Sequence, residues 1–137
     1  MTDDNIYRAR LFAETQLCNN MRPAYVYCNI RRAPGDFAGA YHGFEHYYVF
    51  QTLDRDWREY TGSDYELSNT MVEYWANFVK NGDPNGKDLK TWTPYTEDCK
   101  KSLMMDVSPW MGERKLPKIK QYKLDYFLDK YKDGFRR

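Results

Sequence analysis

Both histidines of this 137-residue chain fall in one stretch, Gly39-Ala40-Tyr41-His42-Gly43-Phe44-Glu45-His46, with a carboxylate between them. Histidine gives or takes a proton near neutral pH and is also a common metal ligand. Three readings follow. In the first, His42 stands in a loop of small residues and acts as general base toward a reacting group. In the second, His42-x-x-Glu45-His46 is the string of inverted zinc peptidases, with both imidazoles as ligands on one helical face and Glu45 as base. In the third, all three are ordinary polar residues at a helix start. The zinc reading needs a continuous helix, yet Gly39 and Gly43 are poor helix formers, each costing ~1 kcal/mol relative to Ala. It also needs a third ligand, for which Glu59, Glu66 and Glu73 are the candidates. We therefore expect no metal.

The elements around this stretch must position it. Upstream, Ile6, Ala9, Ala13 and Leu17 recur at helical spacing between charged residues, which predicts an amphipathic helix ending near Asn19-Asn20. Pro23-Ala24-Tyr25-Val26-Tyr27-Cys28 is a short apolar run that reads as a buried strand. A helix followed by such a strand suits a layered α/β sheet, where loops at strand carboxyl ends often carry chemistry. The histidine stretch follows one of these ends. Tyr47 to Leu53 forms a short helix in this reading. Ser63 and Glu66 then make a capping box for a longer one, with Leu67, Met71, Val72, Trp75, Phe78 and Val79 inward and Gly82 as left-handed cap. Asp83-Pro84-Asn85-Gly86 predicts a positive-φ turn in a long surface connection. Leu103 to Val107 reads as a brief strand, and Pro117 opens a last helix with Leu124, Phe127, Leu128 and Tyr131 inward and Gly134 at its end.

Composition sets the limits. The length suits one domain, residues 1–137. Twenty-one basic and twenty acidic residues leave a formal charge of +1, which gives nucleic-acid binding little support. Nine Lys and Arg against three Asp from Arg114 onward read as a solvated helix face. No apolar run approaches the ~18 residues of a membrane span, and Met1-Thr2-Asp3-Asp4 is not a signal peptide. Leu, Ile, Val and Phe supply only about one residue in six, so thirteen Tyr and four Trp must build the core, and their polar tips need partners. Cys18, Cys28 and Cys99 are odd in number and lack metal-like spacing, so reduced, packed thiols are expected.

The order of motifs is more specific than any one of them. Tyr25-x-Tyr27 comes first, then Gly39-Ala40-Tyr41-His42-Gly43-x-Glu45 running into Tyr48-Val49-Phe50, then Leu67-Ser68. Tyr74-Trp75-Ala76-Asn77-Phe78-x-Lys80-x-Gly82-Asp83-Pro84-Asn85-Gly86 and Trp92-x-Pro94-Tyr95 complete the series. Together they closely resemble the C-terminal part of type B carboxylesterases, the carboxylesterase/cholinesterase family that includes para-nitrobenzyl esterases. The resemblance implies the C-terminal part of an α/β-hydrolase fold, an incomplete sheet with flanking helices. It also implies that His42 is the base of a Ser-His-Glu/Asp triad acting on carboxylic esters, and that Glu45 holds the loop rather than serving as triad acid. His46 departs from the apolar residue usual in the family.

The resemblance also says what the chain lacks. None of Ser63, Ser68, Ser102 and Ser108 stands in a G-x-S-x-G elbow, and the oxyanion-hole glycines are absent. The expectation is thus a carboxylic-ester hydrolase portion that is inactive alone, needs no cofactor, and depends on the N-terminal portion of the parent esterase or on self-association. Its small ester substrate and its compartment, cytoplasmic or secreted, would be set by residues upstream. A non-catalytic adhesion module of the same fold is the alternative, with the zinc peptidase a distant third.

Overall fold

The run of residues at helical spacing near the start does form a helix, α1, Asp3–Cys18, which ends where Asn20 takes a left-handed φ of 53°. The computed structural model describes residues 3–35 and 37–134. After α1 come strand β1 (Tyr27–Asn29), helix α2 (Glu45–Val49), a 3₁₀ turn (Leu53–Arg55), helix α3 (Gly62–Asn81), strands β2 (Ser102–Met105) and β3 (Trp110–Gly112), and helix α4 (Lys118–Gly134). The strands make one sheet in the order β1-β2-β3. β1 pairs in parallel with β2, Tyr27 opposite Leu103, and β2 pairs in antiparallel with β3, Leu103 opposite Met111.

The sheet is incomplete at β1. One side is taken by β2, and among the described residues the other side carries no strand. β3 was not foreseen, because three residues around Trp110 carry no alternation to read. β1 is also shorter than its apolar run: the Val26 carbonyl accepts the first ladder bond, from the Leu103 N–H, while the Ala24 carbonyl accepts from the Tyr95 N–H, outside the sheet.

The helix α3 is capped two residues earlier than its Ser63-x-x-Glu66 string suggests. Thr61 is the N-cap and Asp64 the third helical residue, whose Oδ2 accepts from both the Thr61 N–H and the Thr61 hydroxyl at 2.9 Å. Ser63 instead pairs with the Thr61 hydroxyl. Asp64 wins because it is fully buried and can serve several donors at once, whereas Glu66 is exposed. Replacing Thr61 with Ala should cost about 1 kcal/mol, seen as a lower urea midpoint at unchanged slope.

The buried stripe of α3 is Asp64, Leu67, Ser68, Met71 and Tyr74. Phe78 and Val79, expected inward, are 49 % and 82 % exposed, because the stripe has rotated away from the core by the last turn. In α4, Leu124 is buried, but Phe127 stacks on Tyr131 near the surface. The residues that would show whether Gly134 ends this helix lie outside the described ones.

The main core joins α2, α3 and the sheet through Phe44, Tyr48, Leu53, Leu67, Met71, Tyr74, Trp92, Leu103 and Met105. A second cluster, Ile6, Leu116 and Leu124, ties α1 to α4, and a third holds Ala13, Val26 and Tyr95. As the composition demands, the polar tips of the buried rings are engaged: Tyr74 donates to the Lys90 carbonyl at 2.6 Å, Tyr95 to Glu14 at 2.9 Å, and the Trp92 Nε1–H to the Val26 carbonyl at 3.1 Å. The turn after α3 is set by contacts and not by a positive φ at Asn85 or Gly86. Asn85 accepts from the Trp92 N–H at 2.6 Å, and a Cβ on Gly86 would stand 2.9 Å from Asn77 Nδ2. All three cysteines are free thiols, with Cys28 buried. No helix among the described residues is long and apolar enough to cross a membrane.

Candidate active site

The loop that leaves β1 carries His42 back to the sheet. Gly39 and Gly43, on either side of it, adopt φ of 65° and 83°, conformations that L side chains rarely take. The two glycines therefore fold the chain tightly around Tyr41 and His42. Immediately after, the chain is fastened down. Phe44 and Tyr48 are fully buried, Phe44 packs against Tyr41, Tyr48 and Tyr60, and Ser68 of α3 donates to the Tyr48 carbonyl at 2.7 Å. His42 itself is exposed, and among the described residues no hydrogen bond or ion pair engages its imidazole.

A network that the sequence reading missed anchors the loop from below. Arg31 donates to Asp64 Oδ1 through Nε at 2.8 Å and approaches it through Nη2 at 2.7 Å, and the Tyr48 hydroxyl reaches the same oxygen at 2.9 Å. With the two Thr61 donors on Oδ2, one buried carboxylate joins the segment before the loop, the helix after it and the cap of α3. Burial alone would raise the Asp64 pKa; the Thr61 N–H, Arg31, Tyr48 and the Thr61 hydroxyl together bring it below the ordinary value. Burial first, then Asp64, pushes the Tyr48 hydroxyl well above its usual range. The signal for it in the sequence is the Thr61-x-x-Asp64 spacing, a capping-box string like Ser63-x-x-Glu66.

His42, Glu45 and Tyr27 line a cavity of about 220 Å³ between α1 and the sheet, with Arg10, Cys28, Ser102 and Arg114 among its other walls. Glu45, the first residue of α2, stands 3.5 Å from the Tyr27 hydroxyl, the long limit of a hydrogen bond. Burial, and then Glu45, raises the Tyr27 pKa to about 12. Arg10 is buried, donating to the Arg114 carbonyl at 2.8 Å. Ser102 shares the cavity, but it lies on regular strand β2 rather than on a strained strand-to-helix turn, and no hydrogen bond joins it to His42.

His46 points elsewhere. It lines a separate cleft with Gly43, Tyr47, Phe50 and Thr52, its ring edge-on to Phe50. The continuous helix that a zinc site would need is not formed, because α2 begins at Glu45 and leaves His42 in the turn before it. Among the described residues no group of three or more His, Cys, Asp or Glu side chains is placed to hold a metal ion.

Known proteins resemble most of the chain. Carboxylesterase 5A of Felis catus is 30 % identical over 119 residues, covering 83 % of this chain and 19 % of the relative. Acetylcholinesterase 1 of Caenorhabditis elegans is 32 % identical over 87 residues, covering 63 % of this chain and 14 % of that protein. Among solved structures, a PNB esterase superposes with a TM-score of 0.67 at 26 % identity, covering 82 % of this chain and 24 % of its own. The chain thus spans about a fifth or less of the curated relatives and about a quarter of the solved one, and its helices and three-stranded sheet are part of an α/β-hydrolase fold. With the sequence profile of the Carboxylesterase family matching residues 1–124, the chain belongs to that family.

Proposed function

We propose that this chain supplies the general-base segment of a carboxylic-ester hydrolase, with His42 as the base and Glu45 holding its loop. The observation that carries the reading is the placement of His42: an exposed imidazole with no hydrogen bond or ion pair among the described residues, in the loop leaving β1, just before a segment that Phe44, Tyr48 and Ser68 fasten down. In a triad the base needs two neighbours, a serine hydroxyl on one ring nitrogen and a carboxylate on the other. The exposed His42 can receive such groups from the rest of the fold. His42 would take the serine proton as the oxygen attacks the ester carbonyl, and return it to the departing alkoxide.

This reading predicts that the chain alone hydrolyses p-nitrophenyl esters no faster than free imidazole at equal concentration, since one triad member retains almost none of the rate enhancement. A PNB esterase split at the boundary of the matched region, at a position where its own two pieces reassemble with activity, supplies the complement. Given that larger piece, this chain should restore ester hydrolysis, and Ser102→Ala should leave the restored rate unchanged. Strong activity in the lone chain, dependence on Ser102, or failure to restore activity with a complement that its native piece does rescue would each overturn the reading.

A further inference from the structure

α4 turns one apolar face to α1 and carries a second, exposed one. Its inner side is held by Leu124, which clusters with Leu116 and Ile6 of α1, and by Lys120, bonded to Asp4. On the far side of the helix from Leu124, Ile119, Tyr122 and Tyr126 follow at helical spacing and form a ridge. They are 61 %, 67 % and 57 % exposed. The solvated helix face expected from the sequence would carry polar residues at these positions.

The charges at the start of this ridge are of one sign. From Arg114 to Lys123 five Lys and Arg occur with no Asp or Glu, in a chain whose formal net charge is +1. Lys115, Lys118 and Lys123 are exposed, and among the described residues no hydrogen bond or ion pair engages them. The first turn of α4 holds no acid, so Lys115 and Lys118 also sit at the positive end of the helix dipole, an unfavourable place for a cation. An anionic surface relieves that repulsion. The acids of α4, Asp125, Asp129 and Asp133, all lie in its second half, which tips the N-terminal half toward such a surface.

We propose that the start of α4 is a membrane-surface site, with Ile119 and Tyr122 sunk among the headgroups of an anionic bilayer and Lys115, Lys118 and Lys123 on their phosphates and carboxylates. The helix lies on the bilayer and does not cross it, since no helix among the described residues is long and apolar enough to span one. The ridge is what selects lipid over a nucleic acid or an acidic protein. A phosphate backbone takes up the lysines and gives an isoleucine nothing. A bilayer takes both, with the ammonium groups at headgroup level, the aliphatic side chain beneath them and the tyrosine ring at the interface between. Nothing in this site depends on His42 acting as a base.

The test mixes the full chain with phosphatidylcholine vesicles, made with and without phosphatidylserine, and measures co-sedimentation. The chain should bind the phosphatidylserine vesicles and not the pure phosphatidylcholine ones, and added salt should release it. Lys115→Gln, Lys118→Gln and Lys123→Gln together should weaken binding about a hundredfold, since each cation near an anionic surface contributes several-fold. Ile119→Ser with Tyr122→Ser should weaken it at least about tenfold at unchanged charge. All these positions are exposed, so the far-UV circular dichroism of the variants should match that of the parent. Phe12→Ser, at an exposed ring of α1, is the control and should bind like the parent. The inference is overturned if the chain ignores both kinds of vesicle, binds both alike, or keeps its affinity in either α4 variant. It is overturned equally if Phe12→Ser costs as much as the α4 variants, which would mean unspecific adsorption, or if the chain is a dimer that Ile119→Ser dissociates, which would put a second copy on this face. Release from vesicles by the larger piece of the split PNB esterase would assign the face to the remaining fold and also end the proposal.

Discussion

In the reassembled enzyme, His42→Ala is expected to lower turnover of a p-nitrophenyl ester by about 10⁴-fold or more while leaving assembly intact. The size follows from how triads work: without the base, the serine keeps its proton and the departing alkoxide is not protonated, so removing one member costs nearly as much as removing all. Assembly should survive because the imidazole is exposed and makes no hydrogen bond or ion pair among the described residues, while the loop is held by Phe44, Tyr48 and Ser68. His46→Ala is the matched control. It sits four residues away but lines a different cleft, so its loss should cost far less. Steady-state kinetics on the two variants, with complex formation followed by size-exclusion chromatography, decides the matter. Equal losses from the two substitutions would remove His42 from the role of base.

The second large effect concerns stability. Asp64→Ala should cost roughly 3–5 kcal/mol, because it takes from Arg31 its nearest carboxylate, leaving Asp106 at 3.6 Å, leaves the buried Tyr48 hydroxyl without its acceptor and removes the Asp64 part of the α3 cap at the same time. That is a large share of the 5–15 kcal/mol that holds a typical domain. Urea unfolding of parent and variant gives the number, and a loss under about 1 kcal/mol would show that the network is incidental. The pH dependence carries a sign. Asp64 has a lowered pKa in the folded state, so its contribution is fully present above the unfolded carboxylate value of about 3.9 and is lost as pH falls through the lower folded one. The gap between parent and Asp64→Asn should therefore be flat from neutrality down to about pH 5 and close below pH 4.

The fold and the histidine loop were legible in the sequence for different reasons. α1, α3 and α4 could be read because their apolar residues repeat at helical spacing, and the histidine loop because glycines on both sides of His42 argue against a helix. What escaped were features set by partners distant in sequence. Asp64 looks like one acidic residue among many at a helix start, and only the approach of Arg31, thirty-three positions earlier, makes it the buried hub. β3 owes its existence to pairing with β2 and not to its own three residues. Phe78 and Val79 fit the helical period as well as Tyr74 does. The Lys90 carbonyl that takes the Tyr74 hydroxyl, and the β1 segment whose Tyr25 meets only the edge of Phe78, decide which ring goes in.

The parallel pairing of β1 with β2 has a kinetic side. Tyr27 and Leu103 sit opposite each other but 76 residues apart in the chain, and everything that fixes the histidine loop lies in the segment between them. Closing so long a loop costs entropy before the ladder returns any contact, whereas α2 and α3 can dock after closing only a short connection. The order of events during folding should therefore run from the inside out: the Phe44–Tyr48–Asp64 knot forms early, and the two strands zip together over it late. A nascent chain would thus have its histidine loop shaped before it has a sheet to hang it on.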